Sequence, residues 1–147
     1  MNLLLFFVAW LLIPILTLVN FRTVKKQNGT SNGYFLSTAK SIDIWAKMEF
    51  RTLWRTYIFQ QDWDYLKNYD WYCQETLSSL LGKCEADKKL TTKGKGLLSR
   101  WFYGESLVRL LNRLDKNHCE NSINQEVGNW IDPRTKSNGI LKYLKLK

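Results

Sequence analysis

LLLFFVAWLLIPILTLV, running from Leu3 to Val19, decides the architecture of this chain. Only Pro14 and Thr17 interrupt the apolar run, and every charged side chain of the protein falls after Phe21. An apolar stretch of this kind approaches the roughly 20 residues that a helix needs to cross a bilayer core. Leu3, Leu5, Phe7, Trp10, Leu12, Pro14, Leu16 and Val19 are therefore read as anchor residues, with the anchor spanning 1–21. Pro14 is compatible with that role, since neighbouring groups in a membrane helix re-satisfy the freed carbonyl and leave a bend. A cleaved secretory signal would show a positive n-region and a small-x-small site. Met1-Asn2 and the Asn20-Phe21-Arg22-Thr23 stretch offer neither, so a retained signal-anchor is expected.

The flanks orient it. Arg22, Lys25 and Lys26 follow the apolar run at once, with Lys40 further on, and the N-terminal flank has no Lys or Arg. Basic residues near a membrane segment are retained on the cytoplasmic side. The expected topology is N-terminus outside and C-terminal domain in the cytoplasm. Asn28-Gly29 and Asn32-Gly33 read as turns within a juxtamembrane linker, 22–37. Asn28-Gly29-Thr30 is also a formal glycosylation sequon, informative only if this loop faced a eukaryotic lumen.

Beyond the anchor there is enough chain for one small domain with a single core. The net charge is +9 and aromatic residues make up 14%, seven of them Trp. That aromatic content argues against a disordered tail. Three scattered cysteines, Cys73, Cys84 and Cys119, and a single His fit buried thiols in a reducing compartment. A Cys73–Cys84 disulfide fits only the opposite topology.

Periodicity points to an all-α fold: an N-terminal transmembrane helix followed by a small basic helical domain, 38–131. From 38 to 60, Ile42, Trp45, Ala46, Phe50, Leu53, Trp54, Tyr57 and Ile58 recur at helical spacing, with Ser41 and Asp43 as the start signal. Asp62–Asp70 reads as a loop containing one turn. A second helix is expected over 71–81, ended by Gly82. A third would be capped by Thr91 or Thr92 and bury Leu97, Leu98, Trp101 and Phe102. A fourth carries Leu107, Leu110, Leu111 and Leu114 after a break near Gly104, and a short one covers 120–127. Asp132-Pro133 and Asn138-Gly139 mark turns in a basic C-terminal tail, 132–147.

No pattern names a chemistry. Lys93-Gly94-Lys95-Gly96 lacks the Walker spacing and a preceding strand. His118 and Cys119 are sequence neighbours and would point to different faces of a helix, so they do not form a nucleophile–base dyad. Asp62, Asp64, Asp70 and Glu75, interleaved with Trp63, Tyr65, Tyr69, Trp71 and Tyr72, read as a polar rim around anchored rings. Asp43 and Glu49, six residues apart, would not share a helix face. One His and three distant Cys do not supply a zinc site. No catalytic constellation, metal or cofactor is expected, and the chain reads as non-enzymatic. Its basic, aromatic-bearing surface suits anionic lipid or a protein partner; nucleic acid is a weaker match, without a recognised motif. Trp45, Arg51, Trp54 and Arg55 form the candidate interaction face.

Gly33–Ile58, Leu90–Leu98 (LTTKGKGLL) and Leu111–Ile123 (LNRLDKNHCENSI) resemble a group of small membrane-anchored proteins encoded by tailed phages and prophages of gut Bacteroidota. The resemblance covers most of the chain and implies a bacterial inner membrane. It carries no activity and no functional residues. The expectation is a single-pass, membrane-tethered interaction protein of phage origin. The alternatives are a lysis protein, holin-like or an inner-membrane spanin, and a nucleic-acid-binding or lipid-acting protein. The positive flank disfavours lysis proteins, which expose their larger domain outside the cytoplasm.

Overall fold

In the computed structural model the described residues are 2–93 and 100–133. They are helical, without a strand, and the chain divides into two compact units, 1–40 and 41–147. The expected helix at Leu97 and Leu98, the Lys95 loop and the tail beyond Pro133 fall outside the described residues.

In the first unit a single helix, α1 (Asn2–Asn28), absorbs both the anchor and the first part of the expected linker. Nothing between Phe21 and Asn28 breaks a helix, and Lys25 and Lys26 sit in its last turn, where cations complement the carbonyl ends. Gly29, with φ at +69°, supplies the left-handed residue that ends it. Only residues 29–33 connect it to α2 (Tyr34–Glu49). The 22–37 linker is thereby corrected to a five-residue turn, with Gly33 at φ +79°. Within α1 the Thr17 hydroxyl donates to the Ile13 carbonyl at 2.8 Å, hiding its polarity inside the helix. Every large apolar side chain from Leu3 to Val19 is exposed.

The second unit keeps the expected helix after the break near Gly104 and departs from the sequence expectation at the other helix boundaries. The 38–60 helix begins earlier, at Tyr34, and breaks at Phe50 (φ −97°, ψ 23°). A short turn, α3 (Arg51–Leu53), then widens into a π-turn over Trp54–Ile58. Ser41 and Asp43 are interior to α2, and the Asp43 carboxylate serves a different helix. The Asp62–Asp70 loop holds one 3-10 turn, Asp64–Leu66. The second helix, α4 (Leu77–Ala86), starts six residues later than expected, because the Thr76 side chain caps it by accepting from the Ser79 amide at 3.1 Å.

Gly82 does not end α4. It is buried within it, against the Cys119 carbonyl and Ile123. Thr91 caps no helix of its own. Its hydroxyl donates to the Tyr57 carbonyl and accepts from the Gly104 amide at 2.8 Å, holding the start of α5 (Gly104–Leu114) against the π-turn. Gly104 opens α5 because a side chain there would meet the Ile58 carbonyl. The short helix α6 is the four residues His118–Asn121 rather than 120–127. An isolated bridge pairs Phe59 with Leu90.

The core comprises Trp54, Ile58, Phe59, Trp63, Leu66, Leu80, Leu81 and Val108 with their neighbours. Rings run through it in contact: Phe59–Trp63 at 5.6 Å, Trp63–Tyr65 at 5.3 Å, Tyr65–Tyr69 at 5.4 Å and Tyr69–Trp71 at 5.3 Å.

Candidate functional site

Polar groups converge on the start of α4. Ser79 and Lys83 are spaced by four, so α4 stacks them along one stripe, and Glu75, in the non-helical stretch before the Thr76 cap, meets the same stripe. That stripe faces inward. Glu75 Oε1 lies 2.6 Å from Lys83 Nζ and accepts from Ser79 Oγ at 2.6 Å. Glu75 Oε2 accepts from the Tyr69 hydroxyl at 2.8 Å. Lys83 also donates to the Val127 carbonyl at 2.8 Å and to Tyr65 at 3.2 Å, with its ammonium above the Tyr65 and Trp130 rings. Lys47 on α2 completes the network: Nζ donates to the Cys73 carbonyl at 2.8 Å, to Cys73 Sγ at 3.2 Å and to the Tyr69 hydroxyl at 3.3 Å. Lys47, Glu75 and Lys83 are all fully buried.

Such burial is tolerable only when every donor and acceptor is satisfied. Among the described residues no buried side-chain nitrogen or oxygen lacks a partner. Burial, followed by the hydrogen bonds and charges of Cys73 and Glu75, holds the Tyr69 phenol far above its ordinary pKa. Burial and Glu75 do the same to Tyr65.

A second chain lies beside the first and crosses from α2 to α6. Asp43 Oδ2 accepts both the Ser78 amide, at 3.2 Å, and the Ser78 hydroxyl, at 2.8 Å. His118 stands with Nε2 3.1 Å from Ser78 Oγ and Nδ1 3.0 Å from Asp115 Oδ2. Serine, histidine and aspartate thus meet, as in a hydrolytic triad. Three features set this arrangement apart from one. The Ser78 hydroxyl donates to Asp43, its residue is 5% exposed, and the amides of Ser78 and Ser79 are taken by Asp43 and Thr76. Neither amide is open to a developing oxyanion. What the geometry accomplishes is a clamp: Asp43 of α2 acts as a cap for α4, and His118 ties α6 to the same point.

A cleft of about 540 Å³ lies over the buried network, lined by Tyr65, Tyr69, Asp70, Cys73, Asp87 and Trp130 among others. Asp87 Oδ2 accepts the indole N–H groups of Trp63 at 2.8 Å and Trp130 at 2.9 Å. The acidic–aromatic segment is therefore a rim of exposed Asp62, Asp64 and Asp70 over buried Trp63 and Trp71, with one correction: Glu75 is a core residue. Lys67 at 2.6 Å holds the Asp64 carboxyl below its usual range.

The residues expected to share an interaction face do not share one. Trp54 is 7% exposed, donates its indole N–H to the Ala46 carbonyl at 2.9 Å, and belongs to the core. Trp45 is half-buried, edge-on to Phe50 at 5.6 Å. Arg51 and Arg55 are exposed, Arg51 bonding the Met48 carbonyl at 3.0 Å and lying over the Tyr72 ring. Trp54 continues the Ala46–Phe50 stripe into the core, while Arg51 and Arg55 stay outside.

Cys84 and Cys119 are buried free thiols and Cys73 is partly exposed. No group of His, Cys, Asp or Glu among the described residues is arranged to hold a metal ion. Lys47 and Ser78 carry no local signal of their roles and Asp43 reads only as a helix start, because each bonds across more than 25 residues; the four-residue spacing of Glu75, Ser79 and Lys83 is a usable signal. Comparison with family models, curated proteins and solved structures finds no match to this chain.

Proposed function

We propose that this chain is a single-pass membrane protein that tethers a small, non-enzymatic helical interaction domain to the cytoplasmic face of a bacterial inner membrane, as a phage-encoded protein would in its host. The observation that carries the reading is α1. Its stretch Leu3–Asn28 has a mean hydropathy of 2.5 over its most apolar window, none of that window is buried, and apolar side chains cover all its sides. A helix apolar all round needs an apolar solvent or partner. Arg22, Lys25 and Lys26 at one end supply the orientation argument.

The interaction role follows from what the second unit offers. Its buried polar residues are consumed in holding elements together, while Arg51, Arg55 and neighbouring basic groups remain outside for an acidic partner or anionic lipid. Two measurements on the full chain test this. Alkaline carbonate should leave the protein in the membrane pellet; release into the supernatant defeats the anchor. An impermeant thiol reagent should reach Cys73 only in permeabilised cells. Labelling in intact cells would reverse the orientation and transfer support to the lysis reading.

A further inference from the structure

The hairpin joining α1 to α2 has a feature that an anchor alone does not require. Ser31–Gly33 reverses the chain, and Tyr34 returns alongside α1 instead of leaving it. Its hydroxyl donates to the Thr17 carbonyl at 3.2 Å and accepts from Asn20 Nδ2 at 3.2 Å. Phe21 lies 5.8 Å from the Tyr34 ring and 4.9 Å from the Phe35 ring. These contacts set the first turn of α2 level with Thr17–Phe21.

Leu3 to Asn20 covers about 26 Å at 1.5 Å per residue, against about 30 Å of bilayer hydrocarbon. The level of Tyr34 is therefore the level at which acyl chains give way to headgroups. Aromatic side chains with a polar tip concentrate there. Phe35 and Leu36, beside Tyr34, are 59% and 63% exposed. Arg22 follows Phe21 directly and Lys25 and Lys26 lie about one turn beyond it on α1, a placement that suits lipid phosphates.

We propose that Tyr34, Phe35 and Leu36 form a second membrane contact beside α1, seated in the lipid interface at the boundary of acyl chains and headgroups. The proposal rests on α1 spanning the bilayer and adds that α2 begins inside the interface. Continuity with the apolar surface of α1, the basic residues just above, and the pinning of Tyr34 to Thr17 and Asn20 select lipid as the occupant. In water, Phe35 and Leu36 would be two large apolar side chains left exposed. Seated in lipid, they fix the hairpin against rotation and tilt.

The test is depth measurement by nitroxide labels on the full chain in vesicles of phosphatidylethanolamine and phosphatidylglycerol. Labels at Leu12→Cys, Phe35→Cys, Leu36→Cys and Lys116→Cys are introduced singly over Cys73→Ser, with Cys84 and Cys119 protected by burial. Leu12 reports the anchor and Lys116 reports water. The expected result is accessibility to a water-soluble nickel chelate several-fold lower at Phe35 and Leu36 than at Lys116, with oxygen accessibility between those of Lys116 and Leu12. Leu12 in lipid with Phe35 and Leu36 as open to nickel as Lys116 overturns this proposal and leaves the anchor standing. Leu12 open to nickel defeats the anchor itself. Dipolar broadening at Phe35 that grows with the protein-to-lipid ratio would assign the surface to a second copy of the chain and overturn the lipid contact.

Discussion

Glu75, just before the Thr76 cap, and Lys83 within α4 meet at 2.6 Å with both side chains fully withdrawn from solvent. Tyr69 and Ser79 spend their hydroxyl protons on the same carboxylate. Removing one partner leaves the other charge buried and alone, at a typical cost of about 3–5 kcal/mol. Lys83→Met and Glu75→Gln should each destabilise the domain on that scale in urea unfolding followed by tryptophan fluorescence in mild detergent. The double variant should lose less than the sum of the two. Additive losses would mean that the pair does not act as a unit.

Gly82→Ala provides a sharper test of packing. In a solvent-exposed helix interior the change would stabilise by about 1 kcal/mol. Here the added carbon would run into the Cys119 carbonyl and Ile123, so α6 must move away from α4. The expected outcome is a loss of stability, of the order of 1–3 kcal/mol. An unchanged or higher melting temperature would show that α6 is not seated on α4.

Trp54 and its neighbours should separate core from surface. Trp54→Ala removes a buried ring and its bond to Ala46, costing about 3–5 kcal/mol. Arg51→Glu with Arg55→Glu should leave the circular dichroism spectrum intact and the melting temperature within a few degrees, while weakening adhesion to anionic vesicles or an acidic partner. Unfolding of the arginine variant would make those side chains structural, and undiminished adhesion would remove them from the interaction surface.

The pH response at the alkaline end follows from the buried thiols and phenols. Burial, then Glu85 and Asp43, push the Cys119 thiol from 9.0 up to about 12; burial chiefly raises Cys84, Tyr65 and Tyr69 as well. A group raised in the folded state contributes stability that is complete below its unfolded pKa and lost as pH rises through the folded value. Thermal stability should therefore decline from about pH 9 upward. Ultraviolet titration should show Tyr65 and Tyr69 staying protonated above the ordinary range of a tyrosine phenol. At neutral pH an alkylating reagent should modify Cys73 and spare Cys84 and Cys119 until the chain is denatured. Prompt modification of all three would contradict the packing of α4 against α6.

At the acidic end, Glu85 is raised by burial and by Glu120. Its ionisation opposes folding, so the cost is present at neutral pH and relieved as pH falls through the raised value toward 4.5. Glu85→Gln should raise the melting temperature slightly at pH 7, with the gain shrinking at lower pH. A gain that persisted unchanged to pH 3 would point to a different cause.

Local pattern alone determined a good deal about this protein. The unbroken apolar run predicted a helix from Leu3 to Val19, because backbone groups among apolar side chains must bond within their own segment. Helical spacing of Leu107, Leu110, Leu111 and Leu114 located α5, and helical periodicity along the domain gave an all-α class. Tertiary structure decided where helices start and stop, and which polar residues lie inside. Gly82 reads as a terminator by propensity, yet α4 continues through it because the Cys119 backbone needs the space. Asp43 reads as the opening of its own helix, yet it caps α4, since the Ser78 amide is the donor left without a partner. Trp54 reads both as part of the apolar stripe and as part of an exposed face with Arg51 and Arg55, and its ring settles in the core, 6.0 Å from that of Phe102. In each case the deciding contact joins residues more than 30 positions apart, or a register change of one residue. Spacing along a chain records which face a side chain shares, and only folding determines what that face meets.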